Sequence, residues 1–214
     1  FGVAVLAMLL LERGRVVSTD RLCEAVWGDD PPGNAMSSLH AYISNLRRIL
    51  RDPDSGTPPI VRQAPGYLVE VPADGVDAAR FRELTTRARA LGDEGRWSEL
   101  LDATDAALGL WQGPLLSDLA DLAWVLPYAA GLAEIETECR ENRITALLAI
   151  EQLTPAVEES TVLRERNPLR DRSCWLSAVA LYRAGRAPDA LAVLREHARH
   201  LDEELGLEPG PELR

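Results

Sequence analysis

The chain has 214 residues, of which 46% are hydrophobic, and it carries a formal net charge of −11 at pH 7. A chain of this length can bury two modest hydrophobic cores. All 23 of its basic residues are arginine, which excludes enzymes that depend on a P-loop, kinase-type or Schiff-base lysine. The acidic balance excludes nonspecific nucleic-acid binding by the whole surface, so any such contact needs a locally basic patch.

Acidic residues are concentrated in the second part of the sequence. Residues 1–72 carry 7 arginines against 8 acidic residues, whereas residues 73–214 carry 16 against 26. Three isolated cysteines without C-x-x-C spacing favour reduced thiols over disulfides or a zinc site. The apolar run 3–11 is about half as long as a membrane span and has no basic leader. We therefore expect a cytoplasmic protein without a membrane segment or signal peptide.

The first fifty residues have the periodicity of three helices. An apolar helix is predicted over residues 1–13, and Ser18 is a good N-cap for a short second helix. The Asp-Asp-Pro-Pro-Gly run at 29–33 cannot continue that helix. We therefore expect the second helix to stop at Trp27 and Asn34 to cap the third.

A β-hairpin is predicted after the third helix. A turn-rich loop, 52–59, precedes residues 60–62, which we expect to pair with residues 67–71 across a four-residue turn. The second strand alternates apolar and polar residues, as a half-exposed strand does. Gly66 is expected to supply a backbone conformation that the hairpin needs. Three helices and a hairpin form a winged helix, and the long loop before the third helix indicates the response-regulator variant.

The third helix has two contrasting faces. Aliphatic residues recur at helical spacing along one side and form a stripe that faces a core. The opposite side carries short, mostly uncharged side chains edged by arginine, which makes it narrow enough for a DNA major groove. An ordinary solvated helix more often carries paired Glu and Arg there. The stripe consists of Leu39, Ile43, Leu46 and Leu50, and the polar face of Ser37, Ala41, Ser44, Asn45 and Arg48, with Arg47 and Arg51 at its edge.

From residue 77 onward almost all of the chain has helical periodicity. Gly-Arg pairs at 95–96 and 185–186 are followed by similar apolar patterns, and a middle copy begins at Leu153, about one tetratricopeptide period before the last. These repeats predict stacked helical hairpins, with residues 111–127 as an elaborated connection. Four tryptophans are expected to pack between helices: Trp97, Trp111, Trp124 and Trp175.

Candidate catalytic and metal sites in this half are weak. His197 and His200 have an i, i+3 spacing that suits a metal, but a third ligand is not evident. We expect them on a solvated helix face, and we expect the same of the carboxylates at 134–138 and 202–204, which are alternatively acid/base pairs. Nucleophile-elbow, zincin and P-loop motifs do not occur. The sequence therefore predicts no enzyme, no metal and no cofactor.

Over essentially its whole length the chain resembles the Streptomyces antibiotic regulatory protein (SARP) family, in which an OmpR-type winged-helix DNA-binding domain precedes a bacterial transcriptional activator domain. The resemblance depends on the order and joint presence of several short strings. They are VVSTDRL (16–22), VWGDDPP (26–32), LRRIL (46–50), PGY (65–67), DAARF (77–81), ALGLWQG (107–113), LYRAGR (181–186) and EELGLEPGP (203–211).

The resemblance implies a winged helix over residues 1–73, without the small sheet that opens the family's domain, and a tetratricopeptide-like activator domain over residues 77–214. Without that sheet, the apolar face of residues 3–11 loses its cover. The resemblance also implies a transcriptional activator of a biosynthetic gene cluster for an antibiotic or other secondary metabolite. Such a protein binds promoter direct repeats as a dimer and recruits RNA polymerase holoenzyme through its sigma factor.

The analogy assigns a role to each residue of the reading head. Ser38, Ala41 and Asn45 would face base edges, and Arg62 would lie on the wing near the minor groove. Ser44, Arg47 and Arg48 would approach the DNA backbone. Tyr42, which lies beside the apolar stripe, is either a backbone contact or a core residue. The residues implied to contact DNA are Ser37, Ser38, Ala41, Tyr42, Ser44, Asn45, Arg47, Arg48 and Arg62. Two alternatives stay open, namely a helical-repeat protein-interaction scaffold and a fragment of a larger ATPase-containing regulator.

Overall fold

A computed structural model describes residues 1–51 and 58–213, so most of the predicted loop at 52–59 lies outside the described residues. The described part contains helices α1 to α9 and strands β1 to β3. The helices are Gly2–Leu11, Thr19–Trp27, Ala35–Ile49, Asp77–Asp93, Trp97–Gly109, Val125–Ala149, Leu153–Arg166, Asp171–Arg183 and Ala187–Leu205; the strands are Val17–Ser18, Ile60–Gln63 and Gly66–Val69. The predicted fold class, a winged helix followed by a helical domain, is confirmed.

Contacts between residues divide the chain into two compact units. The first consists of Phe1–Arg80 together with Gln112–Leu132, and the second of Phe81–Trp111 together with Ala133–Arg214. The region 111–127, predicted as an elaborated connection, thus falls largely within the first unit.

The helix ends of the first unit follow the predicted signals with one exception. Ser18 occupies the N-cap of α2, and its hydroxyl accepts a hydrogen bond from the Arg21 backbone N–H at 3.2 Å. Asn34 lies at the N-cap of α3, but its side chain makes no capping hydrogen bond. Its backbone carbonyl instead accepts from the Ser37 hydroxyl at 2.8 Å and the Ser38 N–H at 3.0 Å.

The three strands form an antiparallel sheet in the order β1-β3-β2. Strand β1 was not predicted, because two residues are too few to show a period of two. The hairpin was predicted, but β3 begins at Gly66 and all four of its residues are buried, including Leu68. The expectation of a half-exposed strand is therefore wrong, because the side chains on both faces of β3 are covered.

Gly66 is required for a different reason from the predicted one. It is not among the glycines with positive φ, so it supplies no unusual backbone conformation. A Cβ at this position would lie 1.8 Å from the Val17 carbonyl oxygen of β1. The close approach of β1 thus excludes any side chain here.

The core of the first unit lies between its helices and the sheet. Leu39, Ile43 and Leu46 of α3 are buried in it, as the stripe predicted, and Leu50 packs at its edge. The face of α1 is covered, since Val5, Met8 and Leu9 belong to the same cluster. Three residues from the distant part of the unit pack against it too: Leu119, Leu122 and Trp124.

Helical hairpins build the second unit, as predicted. Gly95 between α4 and α5 and Gly185 between α8 and α9 both have positive φ, and Glu151 takes the corresponding conformation between α6 and α7. Each turn is closed by the same 2.9 Å backbone hydrogen bond, in which the residue after the positive-φ residue donates to a carbonyl of the preceding helix. These bonds run from Arg96 to Leu91, from Gln152 to Leu147 and from Arg186 to Leu181.

One expectation about the polar residues of this unit is wrong. His197 is only 3% exposed and lies between the Pro168 carbonyl, 3.1 Å from Nδ1, and the Asp171 carboxylate, 2.6 Å from Nε2. It is thus a core residue, and the described residues contain no group of three potential metal ligands. The carboxylates at 202–204 are exposed, as expected. Among those at 134–138, the side chains of Glu134 and Glu138 are 54% and 37% exposed and that of Glu136 is 13% exposed, and an arginine pairs with each. These pairs are Glu134–Arg170, Glu136–Arg140 and Glu138–Arg89.

All three cysteines are free thiols. Burial raises the pKa of Cys139 to about 12 and that of Cys174 to about 11, and the pKa of Cys23 is raised in the same way. Thiols with such pKa values are protonated at neutral pH and are poor nucleophiles. Within the described residues, no helix is both long and apolar enough to cross a membrane.

Candidate nucleic-acid interface

Helix α3 presents its predicted polar face to solvent. Its members Ser37, Ala41, Ser44, Asn45 and Arg48 are all exposed, and Ser38 is half-buried. The helix carries no acidic residue although the chain has 34. With Arg48 and Arg51 exposed at its C-terminal end, the face forms the local basic patch that an acidic chain needs for contact with a polyanion.

Asn45 and Arg48 are bonded to each other on this face. An Arg48 Nη2–H donates to Asn45 Oδ1 at 2.8 Å. A bidentate contact with adenine needs both the oxygen and the amide nitrogen of asparagine. Arg48 occupies one of the two lone pairs of Asn45 Oδ1, and a phosphate oxygen is an alternative acceptor for its guanidinium.

Arg47 is held inside the unit rather than extended into solvent. Its Nε–H donates to the Ile60 carbonyl of β2 at 2.8 Å, and its guanidinium carbon lies 5.8 Å from the centre of the Tyr67 ring of β3. The side chain thus braces the hairpin against α3, a role that the sequence analysis did not predict. The expectation that Arg47 approaches the DNA backbone stays a prediction.

Tyr42 lies on the other side of the helix, with the aromatic residues. Its ring stacks on Phe1 and Trp27, with centroid separations of 6.3 and 6.2 Å, and it packs against the core of the unit. Of the two alternatives left open for Tyr42, the structure favours the core residue. Trp27 packs against the same core, as predicted.

An open cleft of about 360 Å³ is lined by residues of the wing, of α3 and of the start of α2. Arg62, exposed on β2, lines it together with two exposed residues of α3, Met36 and His40, and with Thr19 of α2. The sequence analysis missed these three residues. For Met36 and His40 the signal was available, because they lie two helical turns and one helical turn, respectively, before the exposed Ser44.

Comparisons with known families decide how this surface is interpreted. Residues 2–68 match the family described as transcriptional regulatory protein, C terminal, and residues 76–214 match the bacterial transcriptional activator domain. The chain belongs to the SARP-type DNA-binding transcriptional regulators. Both of its matched regions are transcription-regulatory domains, and neither family describes an enzyme.

Individual relatives match almost the whole of this SARP-type chain. It is 35% identical to the transcriptional regulatory protein EmbR of Mycobacterium tuberculosis over 99% of its own length and 55% of EmbR. It is 34% identical to the transcriptional regulator RedD of Streptomyces coelicolor, covering 98% of the chain and 61% of RedD. The chain thus spans only about half to three fifths of the length of these two relatives.

The fold of this chain also matches a solved structure of a relative. The structure of M. tuberculosis EmbR in complex with a low affinity phosphopeptide matches with a TM-score of 0.95 and 33% identity. The match covers 100% of the SARP-type chain and 56% of the EmbR chain. The chain therefore shares its fold with the matched part of that EmbR structure.

Proposed function

We propose that this SARP-type regulator binds promoter DNA in a sequence-specific manner and activates transcription from it. One observation carries the proposal: the polar face of α3 is exposed, carries no acidic residue and lies beside a hairpin that presents Arg62. A helix with a slim polar face fits the major groove, while an arginine on an adjacent hairpin fits the narrower minor groove. The division into residues 1–73 and 77–214 is part of this proposal.

In the proposed complex some residues of α3 contact bases and others contact the phosphate backbone. Asn45 bonds to adenine N6 and N7, Ala41 contacts a thymine methyl group, and Ser38 bonds to a further base edge. Arg48 bonds to a phosphate and thereby releases Asn45 from their mutual hydrogen bond. Contacts with the phosphate backbone position the helix without reading sequence; we assign them to Ser37, Ser44, Arg47 and Arg48.

The finer partners are proposals too. Two copies bind direct repeats about one helical turn apart, and the bound protein recruits RNA polymerase holoenzyme through its sigma factor. The controlled genes belong to a biosynthetic cluster for an antibiotic or other secondary metabolite. These statements are supported by the SARP-type family and by relatives that are named as transcriptional regulators.

The test is a selection from a random duplex library with the 214-residue chain, followed by binding titrations on the enriched duplex. The expected result is enrichment of direct repeats, and at least tenfold tighter binding to them than to a scrambled duplex of equal composition, which corresponds to about 1.4 kcal/mol. Arg48→Ala is the informative variant, and Tyr182→Phe, an exposed position of the second unit, is its control. Equal binding to selected and scrambled duplexes would overturn the proposal and favour the interaction scaffold.

A further inference from the structure

One part of the winged-helix unit comes from within the activator-domain sequence. Gln112–Leu132, here called the strap, belongs to the first unit although it lies inside the match to the bacterial transcriptional activator domain. Leu119, Leu122 and Trp124 of the strap pack against the winged-helix core. The strap also makes hydrogen bonds with two residues of α2 and with Glu12.

Trp124 holds the C-terminal end of α2. Its indole Nε1–H donates to the Ala25 carbonyl at 2.9 Å. Ala25 lies in the last turn of α2, where a helix leaves carbonyls without an intrahelical partner. The strap therefore completes a helix of only nine residues, which would be marginal without tertiary contacts.

Tyr128 holds the N-terminal end of the same helix. Arg21, in the first turn of α2, donates from Nη2 to the Tyr128 hydroxyl oxygen at 2.9 Å and to Glu12 Oε1 at 2.8 Å. The Tyr128 hydroxyl in turn donates to the same Glu12 oxygen. Three side chains, from the C-cap of α1, from α2 and from the strap, thus form a closed hydrogen-bonded triangle.

The first residue of α2 contacts the tip of the wing. The Thr19 backbone N–H and hydroxyl both point to the Pro65 carbonyl oxygen, at 3.4 and 3.5 Å. Ser18, directly before it, pairs with Gly66 in the sheet, where the backbones are too close for a Cβ. A shift of α2 is therefore transmitted to the wing, which carries Arg62.

We propose that Trp124 and Tyr128 are positioning residues for DNA binding. By fixing both ends of α2, they hold Thr19 against the wing tip and keep Arg62 in place beside α3. Neither residue touches the DNA-binding face. The part of this inference that concerns DNA rests on the proposed function, whereas the part that concerns the wing does not.

Hydrogen exchange in the DNA-free chain tests the mechanical part. Tyr128→Phe removes one hydroxyl and keeps the ring, and Trp124→Phe removes the indole N–H. In each variant we expect the amides of residues 17–21 and 60–69 to exchange about 3- to 10-fold faster, because this factor corresponds to the free energy of one hydrogen bond. The exchange rates of the amides in α8 and α9 should be unchanged. Tyr182→Phe, the same chemical change at an exposed tyrosine, is the matched control. Unchanged exchange in the hairpin would overturn the inference.

A double-mutant cycle on the selected duplex tests the functional part. Arg62→Ala is expected to weaken binding about tenfold in the original chain but only about twofold in the Tyr128→Phe background, because a displaced wing has already lost that contact. Additive effects would mean that Tyr128 merely stabilises the fold, and would overturn the positioning role. If the original chain distinguishes no sequence, the proposed function fails and the exchange experiment still decides the inference about the wing.

Discussion

At the scale of single residues, two neighbours on α3 carry different kinds of information. Asn45 can distinguish bases, because its amide matches the donor and acceptor pattern of adenine in the major groove. Arg48 offers charge, which strengthens binding to any duplex. Their mutual hydrogen bond of 2.8 Å means that the two functions are coupled in the free protein.

Asn45→Ala is predicted to change base preference rather than general affinity. Loss of a bidentate contact should reduce discrimination for adenine at one position about 5- to 150-fold, measured by titrating the selected duplex and its three variants at that position. Ser44→Ala, on the same exposed face, is the control and should leave the preference intact. An unchanged ranking of the four bases in Asn45→Ala would contradict the assignment.

Arg48→Ala is predicted to weaken binding at every sequence. The slope of log affinity against log salt concentration should fall by about one, since one phosphate contact is lost. The measurement is a salt titration on selected and scrambled duplexes, with Arg166→Ala, exposed in the second unit, as control. A slope equal to that of the original chain would exclude a phosphate contact by Arg48.

At the scale of elements, the hairpin depends on contacts from both sides. Arg47 of α3 braces β2 through the Ile60 carbonyl, and β1 pairs with β3 from the opposite edge. The wing is therefore fixed relative to α3 before DNA is bound, which reduces the conformational entropy lost on binding.

Gly66→Ala is predicted to destabilise the winged-helix unit by about 3 kcal/mol. The added methyl group meets the backbone of β1 at 1.8 Å, and a backbone atom cannot rotate away as a side chain can. Urea unfolding measures the effect. Gly131→Ala, where a Cβ meets nothing within 4 Å in a helix, should instead be neutral or stabilising by up to about 1 kcal/mol. Equal stability of both variants would contradict the close approach of β1.

At the scale of the whole molecule, the strap makes the stability of the first unit depend on pH. The hydrogen bond from Tyr128 and the contacts with Arg21 hold the pKa of Glu12 below its ordinary value of 4.5, against the opposing effect of burial. A carboxyl group with a lowered pKa in the folded state contributes stability above pH 4.5. That contribution is lost as the pH falls through the pKa that Glu12 has in the folded protein.

The difference in unfolding free energy between Tyr128→Phe and the original chain should therefore become smaller at acidic pH. At neutral pH the variant is expected to be less stable by about 1 kcal/mol, and the difference should shrink as the pH falls below 4.5. Urea unfolding at a series of pH values measures this, with Tyr182→Phe as the variant that should show no such trend. A difference that is constant with pH would mean that Glu12 is not linked to the strap.

The sequence by itself determined the features that depend on residues within one or two turns. The period of α3 separated its buried stripe from its exposed polar face, Ser18 marked the start of α2, and the Gly-Arg pairs marked two of the helical turns. Each of these signals arises from local geometry, namely side-chain spacing, capping and positive φ. Because the candidate interface lies mainly on one helix, most of its residues could be found in this way.

Only the tertiary structure decided which distant residues meet. The sequence did not reveal that Trp124 caps α2 across 99 residues, that His197 is buried against Asp171, or that Arg47 bonds to the hairpin. A two-residue strand such as β1 has no period to detect, and a polar side chain has the same local pattern whether its partner is water or a remote carbonyl. Local periodicity fixes which face of an element is apolar, whereas the path of the chain fixes what covers that face.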